Sequence, residues 1–165
     1  LLGWVRPVTG SDEMIITTSG GQAIRFKETD VRHMGRAAGG VRGIKLRKDD
    51  KVVGMNSMFK GQKGNQLLVI SENGFGKRTD TKSYKIQRRG GSGIKTAKVT
   101  AKTGKLIGAN LVNIDDLERD LIITSQQGQI IRIPLASISI SGRATQGVRV
   151  MKPQSGDKVS AVTVL

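Results

Sequence analysis

The chain has 165 residues, enough for one domain that buries roughly 70% of its unfolded surface. Lys and Arg number 28 against 13 Asp and Glu, giving a net charge of +15 and favouring polyanionic partners, nucleic acid before an anionic membrane surface. With no cysteine, disulfides, thiolate zinc sites and a cysteine nucleophile are excluded, and no apolar run approaches the roughly 20 residues of a membrane-spanning helix.

These features suit a reducing, cytoplasmic setting with no membrane partner. Aromatic residues are confined to Trp4, Phe26, Phe59, Phe75 and Tyr84, too few for single-stranded bases to stack on as a main mode of binding.

Leu1-Leu2-Gly3-Trp4-Val5 lacks the length and cleavage region of a signal peptide, and no initiating Met precedes it. It reads as a strand, with Trp4 packed between neighbouring units. Met14–Thr18 is the next apolar, β-branched run and reads as a strand. Ser19-Gly20-Gly21 is a hairpin turn, because glycine accepts the positive φ such turns need. The returning strand, Ala23–Lys27, alternates Ile24 and Phe26 with Arg25 and Lys27, placing the two pairs on opposite faces. A linker with a helical turn around Thr29–Met34 leads to a third strand, Val41–Leu46. Lys48-Asp49-Asp50 then turns the chain into a fourth, Val52–Met58.

The pattern recurs. Met14–Phe26, Leu67–Thr79 and Leu121–Ile133 resemble one another, and their starts lie 53 and 54 residues apart. Gly21, Gly74 and Gly128 fall in register, as do Arg25, Arg78 and Arg132, and Arg36, Arg89 and Arg143. Gly40, Gly93 and Gly147 follow, each trailed by a β-branched residue and then by Arg42, Lys95 or Arg149. Lys51, Lys105 and Lys158 open the last apolar run. An all-β, propeller-like array of four-stranded blades is expected, with blades at 12–64, 65–118 and 119–165. Leu2-Gly3-Trp4 matches Val53-Gly54-Met55 and Ile107-Gly108-Ala109, so residues 1–11 are expected to be the final strand of a preceding blade plus a linker. Typical propellers close with about four to eight blades. The chain is therefore expected to be part of a larger ring, or to complete one as a homodimer.

From Lys77 to Lys102 there are nine basic residues and one acid, Asp80, the densest positive stretch in the chain. Within it lies Gln87-Arg88-Arg89-Gly90-Gly91-Ser92-Gly93. Arg88 and Arg89 can fork onto phosphate oxygens. Gly90, Gly91 and Gly93 let backbone N–H groups approach an anion with no Cβ in the way. With Gln87, Lys95 and the register set Arg25, Arg36, Arg42, Arg78, Arg132, Arg143 and Arg149, these are the candidate DNA-binding residues. Nothing resembles a base-reading helix, so contacts to the phosphate backbone are expected. Catalytic candidates are poor. His33 is the only histidine, Asp49-Asp50 and Asp115-Asp116 sit in expected turns, and no nucleotide-binding glycine loop occurs. No metal, cofactor or catalytic residue is expected.

Gln87–Gly93 resembles the gyrase box, Gln-Arg-Arg-Gly-Gly-x-Gly, of the DNA gyrase A protein. Gly40-Val41-Arg42-Gly43-Ile44 and Gly142–Val148 are similar to the corresponding loops of other blades in that protein's C-terminal domain. The resemblance runs from Leu2 to Leu165. It implies a β-pinwheel of about six blades that exchange strands, with double-stranded DNA wrapped around a basic rim in support of ATP-dependent negative supercoiling. It also implies, as partners, the gyrase A N-terminal region, which carries the cleaving tyrosine, and the gyrase B subunit, which hydrolyses ATP. The equivalent domain of topoisomerase IV and a propeller-like protein-interaction scaffold remain open as alternatives.

Overall fold

The computed structural model describes residues 2–165 and contains eleven strands with four short 3-10 turns. The first repeat contributes β1 (Glu13–Thr18), β2 (Gln22–Lys27) and β3 (Val52–Met58). The second contributes β4 (Asn65–Ser71), β5 (Phe75–Asp80), the two-residue β6 (Ile94–Lys95) and β7 (Leu106–Asn113). The third contributes β8 (Asp120–Ser125), β9 (Ile130–Pro134), the two-residue β10 (Val148–Arg149) and β11 (Val159–Val164). The hairpins turn where glycine was expected to turn them, with Gly21, Gly74 and Gly128 all at positive φ.

The sheets do not coincide with the repeats. Their orders are β3-β1-β2-β6, β7-β4-β5-β10 and β11-β8-β9. The fourth strand of the first sheet thus comes from the second repeat, pairing Gln22 with Lys95 and Ala23 with Ile94. The fourth strand of the second comes from the third repeat, pairing Gly76 with Val148 and Phe75 with Arg149. This exchange corrects two expectations. Val41–Leu46 forms no strand, because the described residues contain no earlier blade for it to join. The segment around Leu2-Gly3-Trp4 is likewise not a strand, and Trp4 is 37% exposed rather than packed between blades. The expected helical turn is a 3-10 turn at Glu28–Asp30, with counterparts at Thr81–Ser83 and Leu135–Ser137.

Two of the three apolar clusters lie between blades, and the third, around Ile24, Phe26 and Ile44, belongs to the first repeat alone. β4 is buried along its whole length, and its alternation divides it between two clusters. Leu67 and Val69 pack with Ile15, Ala23, Met58, Tyr84, Leu106 and Ala109 toward the first blade. Leu68 and Ile70 pack with Val112, Leu121, Ile123, Leu135 and Ile138 toward the third. β3, β7 and β11 lie side by side on the inner side of the array, so close that a Cβ on Gly54 would sit 2.4 Å from the Ala109 carbonyl oxygen. Tyr84 is part of this core: its hydroxyl lies 2.5 Å from that of Thr96, and burial pushes the phenol up.

Partly or fully buried carboxylates close the hairpins. Asp50 accepts from the Ser19 hydroxyl and from the N–H groups of Gly20 and Lys51. Asp157 plays the same part for Gln127 and Lys158. In the middle blade the position is Gly104, and Glu72 takes over by accepting from the Lys105 N–H. Burial alone would raise the Asp50 carboxyl, but donations from Thr18, Gly20, Ser19 and Lys51 hold it below its ordinary value. A carboxylate so depressed adds stability above its unfolded pKa, about 3.9, and loses that contribution as pH falls through the lower folded value. The thermal midpoint is expected to drop below about pH 4. Asp50→Asn should lower the midpoint at pH 7 and shrink the acid drop in a circular-dichroism melting series.

Gly93 holds φ +71, and a Cβ there would meet the Ala23 carbonyl oxygen at 2.6 Å. Gly91 has room, its nearest neighbour being Ile24 Cδ1 at 3.6 Å. Gly93→Ala is expected to cost about 2 kcal/mol in urea unfolding, and Gly91→Ala less than about 0.5 kcal/mol.

Candidate nucleic-acid interface

The loop Gln87–Gly93 leaves the 3-10 turn Thr81–Ser83 and crosses back onto the first sheet. The Gln87 N–H donates to the Arg25 carbonyl at 2.7 Å, and the chain then enters β6 beside β2. The loop therefore belongs to the junction of two blades. The Gly90 N–H donates to Gly43 at 2.6 Å, and the Lys45 N–H donates to Gly91 at 2.8 Å, tying the loop to the otherwise unpaired Val41–Leu46 segment. The Gln87 side-chain nitrogen is buried with no acceptor among the described residues.

The two box arginines have different surroundings. Arg88 is exposed and its side chain makes no hydrogen bond or ion pair among the described residues. Arg89 is half-buried and donates from Nε to the Asp30 carbonyl at 2.7 Å and from Nη1 to the Arg42 carbonyl at 3.1 Å. Arg143 repeats the second contact one blade later, donating to the Lys95 carbonyl at 3.1 Å. Both arginines thus reach back to the main chain of the basic residue in the preceding repeat. Arg36, their counterpart in the first repeat, is fully exposed.

The Arg25, Arg78 and Arg132 set does something else. Arg25 pairs with Glu13 in its own blade and donates to the carbonyls of Thr81 and Tyr84 in the next. Arg78 donates to Gln66 Oε1 at 2.9 Å and to the carbonyls of Ile138 and Ala136 at 2.8 and 3.3 Å. Only 4% of Arg78 is exposed, and burial lowers its guanidinium pKa, although an arginine stays charged in a protein. This corrects the expectation of a DNA contact at Arg78: its donors are spent on carbonyls and it cannot reach a phosphate. Arg25 points into the same kind of junction. Arg132 pairs with Asp120, and its side chain is 68% exposed because no further turn is present among the described residues to accept from it.

Of the nine cations counted between Lys77 and Lys102, Arg78 and Lys77 are buried, leaving seven facing water to some degree. Lys82, Lys85, Lys98 and Lys102 join Arg88 and Lys95 on the surface, and Lys45 lies across the junction. Sequence reasoning did not single these lysines out, since they do not recur in register; their signal was the local charge density. Arg42 is exposed. Arg149 stacks over the Phe75 ring at 4.7 Å, with Lys102 on the same ring at 5.6 Å. Lys77 has its Nζ within 2.6–3.1 Å of three oxygens of the loop Gly142–Thr145, and burial, aided by the charge of Arg143, pushes its pKa down to about 8. His33 is exposed, and no group of three or more His, Asp or Glu side chains that could hold a metal occurs among the described residues. No described helix is long and apolar enough to cross a membrane.

These features define a strand-exchanged, propeller-like repeat whose blade junctions carry unpaired cations. The chain belongs to the DNA gyrase C-terminal domain family, a beta-propeller family that matches residues 12–57, 65–113 and 119–165. It is 42% identical over 158 residues to the DNA gyrase A protein of Staphylococcus epidermidis, covering 96% of this chain and 17% of that protein. The corresponding protein of Staphylococcus aureus gives the same identity and coverage. The chain thus spans about one sixth of the length of the curated relatives it matches. A solved DNA gyrase A C-terminal domain superposes with a TM-score of 0.83 at 26% identity, over 96% of this chain and 52% of that one. The C-terminal domain of a DNA topoisomerase IV shares the fold, with a TM-score of 0.85 at 21% identity over 94% of this chain and 47% of that one.

Replacing Arg78 by Met keeps most of the aliphatic packing but strands three acceptors in a buried junction. Arg78→Met is expected to lose about 3 kcal/mol of stability in urea unfolding. The variant that remains folded should show the parent's salt dependence of DNA binding, because Arg78 does not face solvent.

Proposed function

We propose that the chain binds double-stranded DNA through the phosphate backbone, as part of the wrapping surface of a type IIA topoisomerase of the gyrase kind. The observation that carries this reading is the contrast at the box. Arg89 is committed to main-chain carbonyls, whereas its neighbour Arg88 and the cations Arg42, Lys95 and Lys98 are exposed and unpaired among the described residues. Each neutralised phosphate releases counterions, so a cluster of free cations on a rigid scaffold binds duplex without reading its bases. Arg36, Arg143 and Arg149 continue the cationic positions along the other junctions, and a curved row of them suits bent DNA. Smooth bending of about 20–30 base pairs through 40–90° costs of order 1–6 kcal/mol, which several contacts together can offset.

The chain acts in this reading without catalysis of its own. The gyrase A N-terminal region would cleave DNA, and the B subunit would hydrolyse ATP, in a holoenzyme working on DNA in the bacterial cytoplasm. The units 12–64, 65–118 and 119–165 would be three blades of the ring. The open edge of β9, with Ile130 exposed, is the place where a further blade or a second copy of the chain would join.

Binding to a linear duplex of roughly 150 base pairs across a salt series tests the proposal, since each phosphate contact contributes about 0.9 to the slope of log affinity against log salt. The parent is expected to show a steep negative slope. Arg88→Ala/Lys95→Ala should weaken binding and reduce the slope by about 1.8. An absence of binding at low salt, or a slope the double variant leaves untouched, would overturn the reading.

A further inference from the structure

The loops Gln87–Gly93 and Ser141–Gly147 occupy equivalent positions one blade apart. Both end in a glycine pressed against the second strand of the preceding blade, Gly93 on Ala23 and Gly147 on Gly76. They are supported differently from beneath. Under the first loop lies Ile24, fully buried, with its Cδ1 below Gly91. Under the second the equivalent residue is Lys77, only 1% exposed, and the equivalent of Gly91 is Thr145.

The Lys77 ammonium has no carboxylate partner among the described residues. It donates to the carbonyls of Gly142 at 2.6 Å and Arg143 at 2.7 Å, and to the Thr145 hydroxyl at 3.1 Å. Burying a cation is costly, and Ile24 shows that an apolar side chain can hold the same strand position without that cost. What the ammonium adds is direction. The described peptide bonds are all trans, so the N–H of each peptide points opposite to its carbonyl. Drawing the Gly142 and Arg143 carbonyls inward turns the N–H groups of Arg143 and Ala144 outward. Neither N–H has an acceptor among the described residues, and Ala144 is exposed. Two adjacent outward N–H groups with a buried ammonium behind them suit a tetrahedral oxyanion.

We infer that the loop Gly142–Ala144 is a second phosphate seat, built from the main-chain N–H groups of Arg143 and Ala144, and that Lys77 is its positioning residue. The inference rests on the backbone-binding reading above for its biological ligand, a phosphodiester group of duplex DNA. It adds a main-chain contact to the third-repeat loop, where the sequence pointed only to the Arg143 side chain.

Inorganic phosphate serves as the probe, titrated into the 15N-labelled chain with chloride at matched ionic strength as the control. The Arg143 and Ala144 amide resonances are expected to shift saturably with phosphate and not with chloride. In Lys77→Met, with its fold verified by the dispersion of the remaining amides, apparent phosphate affinity at these two amides should fall about tenfold, the scale of losing one charge-assisted arrangement. Ala144→Pro removes one of the two N–H groups without touching the core, so it should weaken the site even if Lys77→Met does not fold. Amides that fail to shift, that respond equally to chloride, or that saturate unchanged in every folded variant would overturn the seat. Those outcomes are independent of duplex binding, which the Arg88→Ala/Lys95→Ala salt series reports separately.

Discussion

β2 and β5 each present an open edge, and two residues from the following repeat close it. Ile94–Lys95 and Val148–Arg149 supply few hydrogen bonds by themselves, so the exchange is reinforced from both sides. Arg25 and Arg78 reach forward to carbonyls of the next 3-10 turn, and Arg89 and Arg143 reach back to carbonyls of the preceding repeat. An unpaired strand edge and a buried carbonyl are both costly to leave unmet. The rest of the molecule depends on that constraint. It places the two larger apolar clusters between sheets and sets the box loop at a junction.

The same constraint divides the arginines. A guanidinium has five donors in a rigid fork and keeps its charge when buried, so it can act as a fixed strut between main-chain segments. Arg78 is such a strut, enclosed by Gln66, Ala136 and Ile138. Arg88, one residue from a strut, has nothing to hold among the described residues and faces water. In the proposed reading, contact with DNA falls to the cations that the scaffold leaves over. Asp50 and Asp157 are occupied with hairpin main chain and neutralise no surface cation among the described residues, whereas Glu72 also pairs with Lys158.

Much of the fold was legible in the sequence because its signals are local. An apolar, β-branched run marked β1, period-two alternation marked β2, Gly21, Gly74 and Gly128 marked the hairpins, and the repeat spacing marked three units. Gln87–Gly93 stood out for the same reason, as a compact run of cations and glycines. The two misplaced strands share one cause. Val41–Leu46 has the composition of a strand but no neighbouring blade among the described residues, and Trp4 has the composition of a core residue but nothing to pack on. A strand is a property of a pair, and propensity supplies one half of it.

The sequence by itself determined the all-β class, the repeat and its register, the turn positions and the surplus of positive charge, since each follows from residue type and spacing along one stretch of chain. Only the tertiary structure decided which strand closes which sheet, and which of the register arginines carry the scaffold and which face solvent. It also set Lys77 beneath the loop of another repeat, with its ammonium on the Gly142 and Arg143 carbonyls. The physical reason is that a cation's role is set by the acceptors brought to it from far along the chain, as the Tyr84 carbonyl is brought to Arg25 across a separation of 59 residues. Arg25, Arg78 and Arg132 are identical as letters and differ by what the next blade offers them.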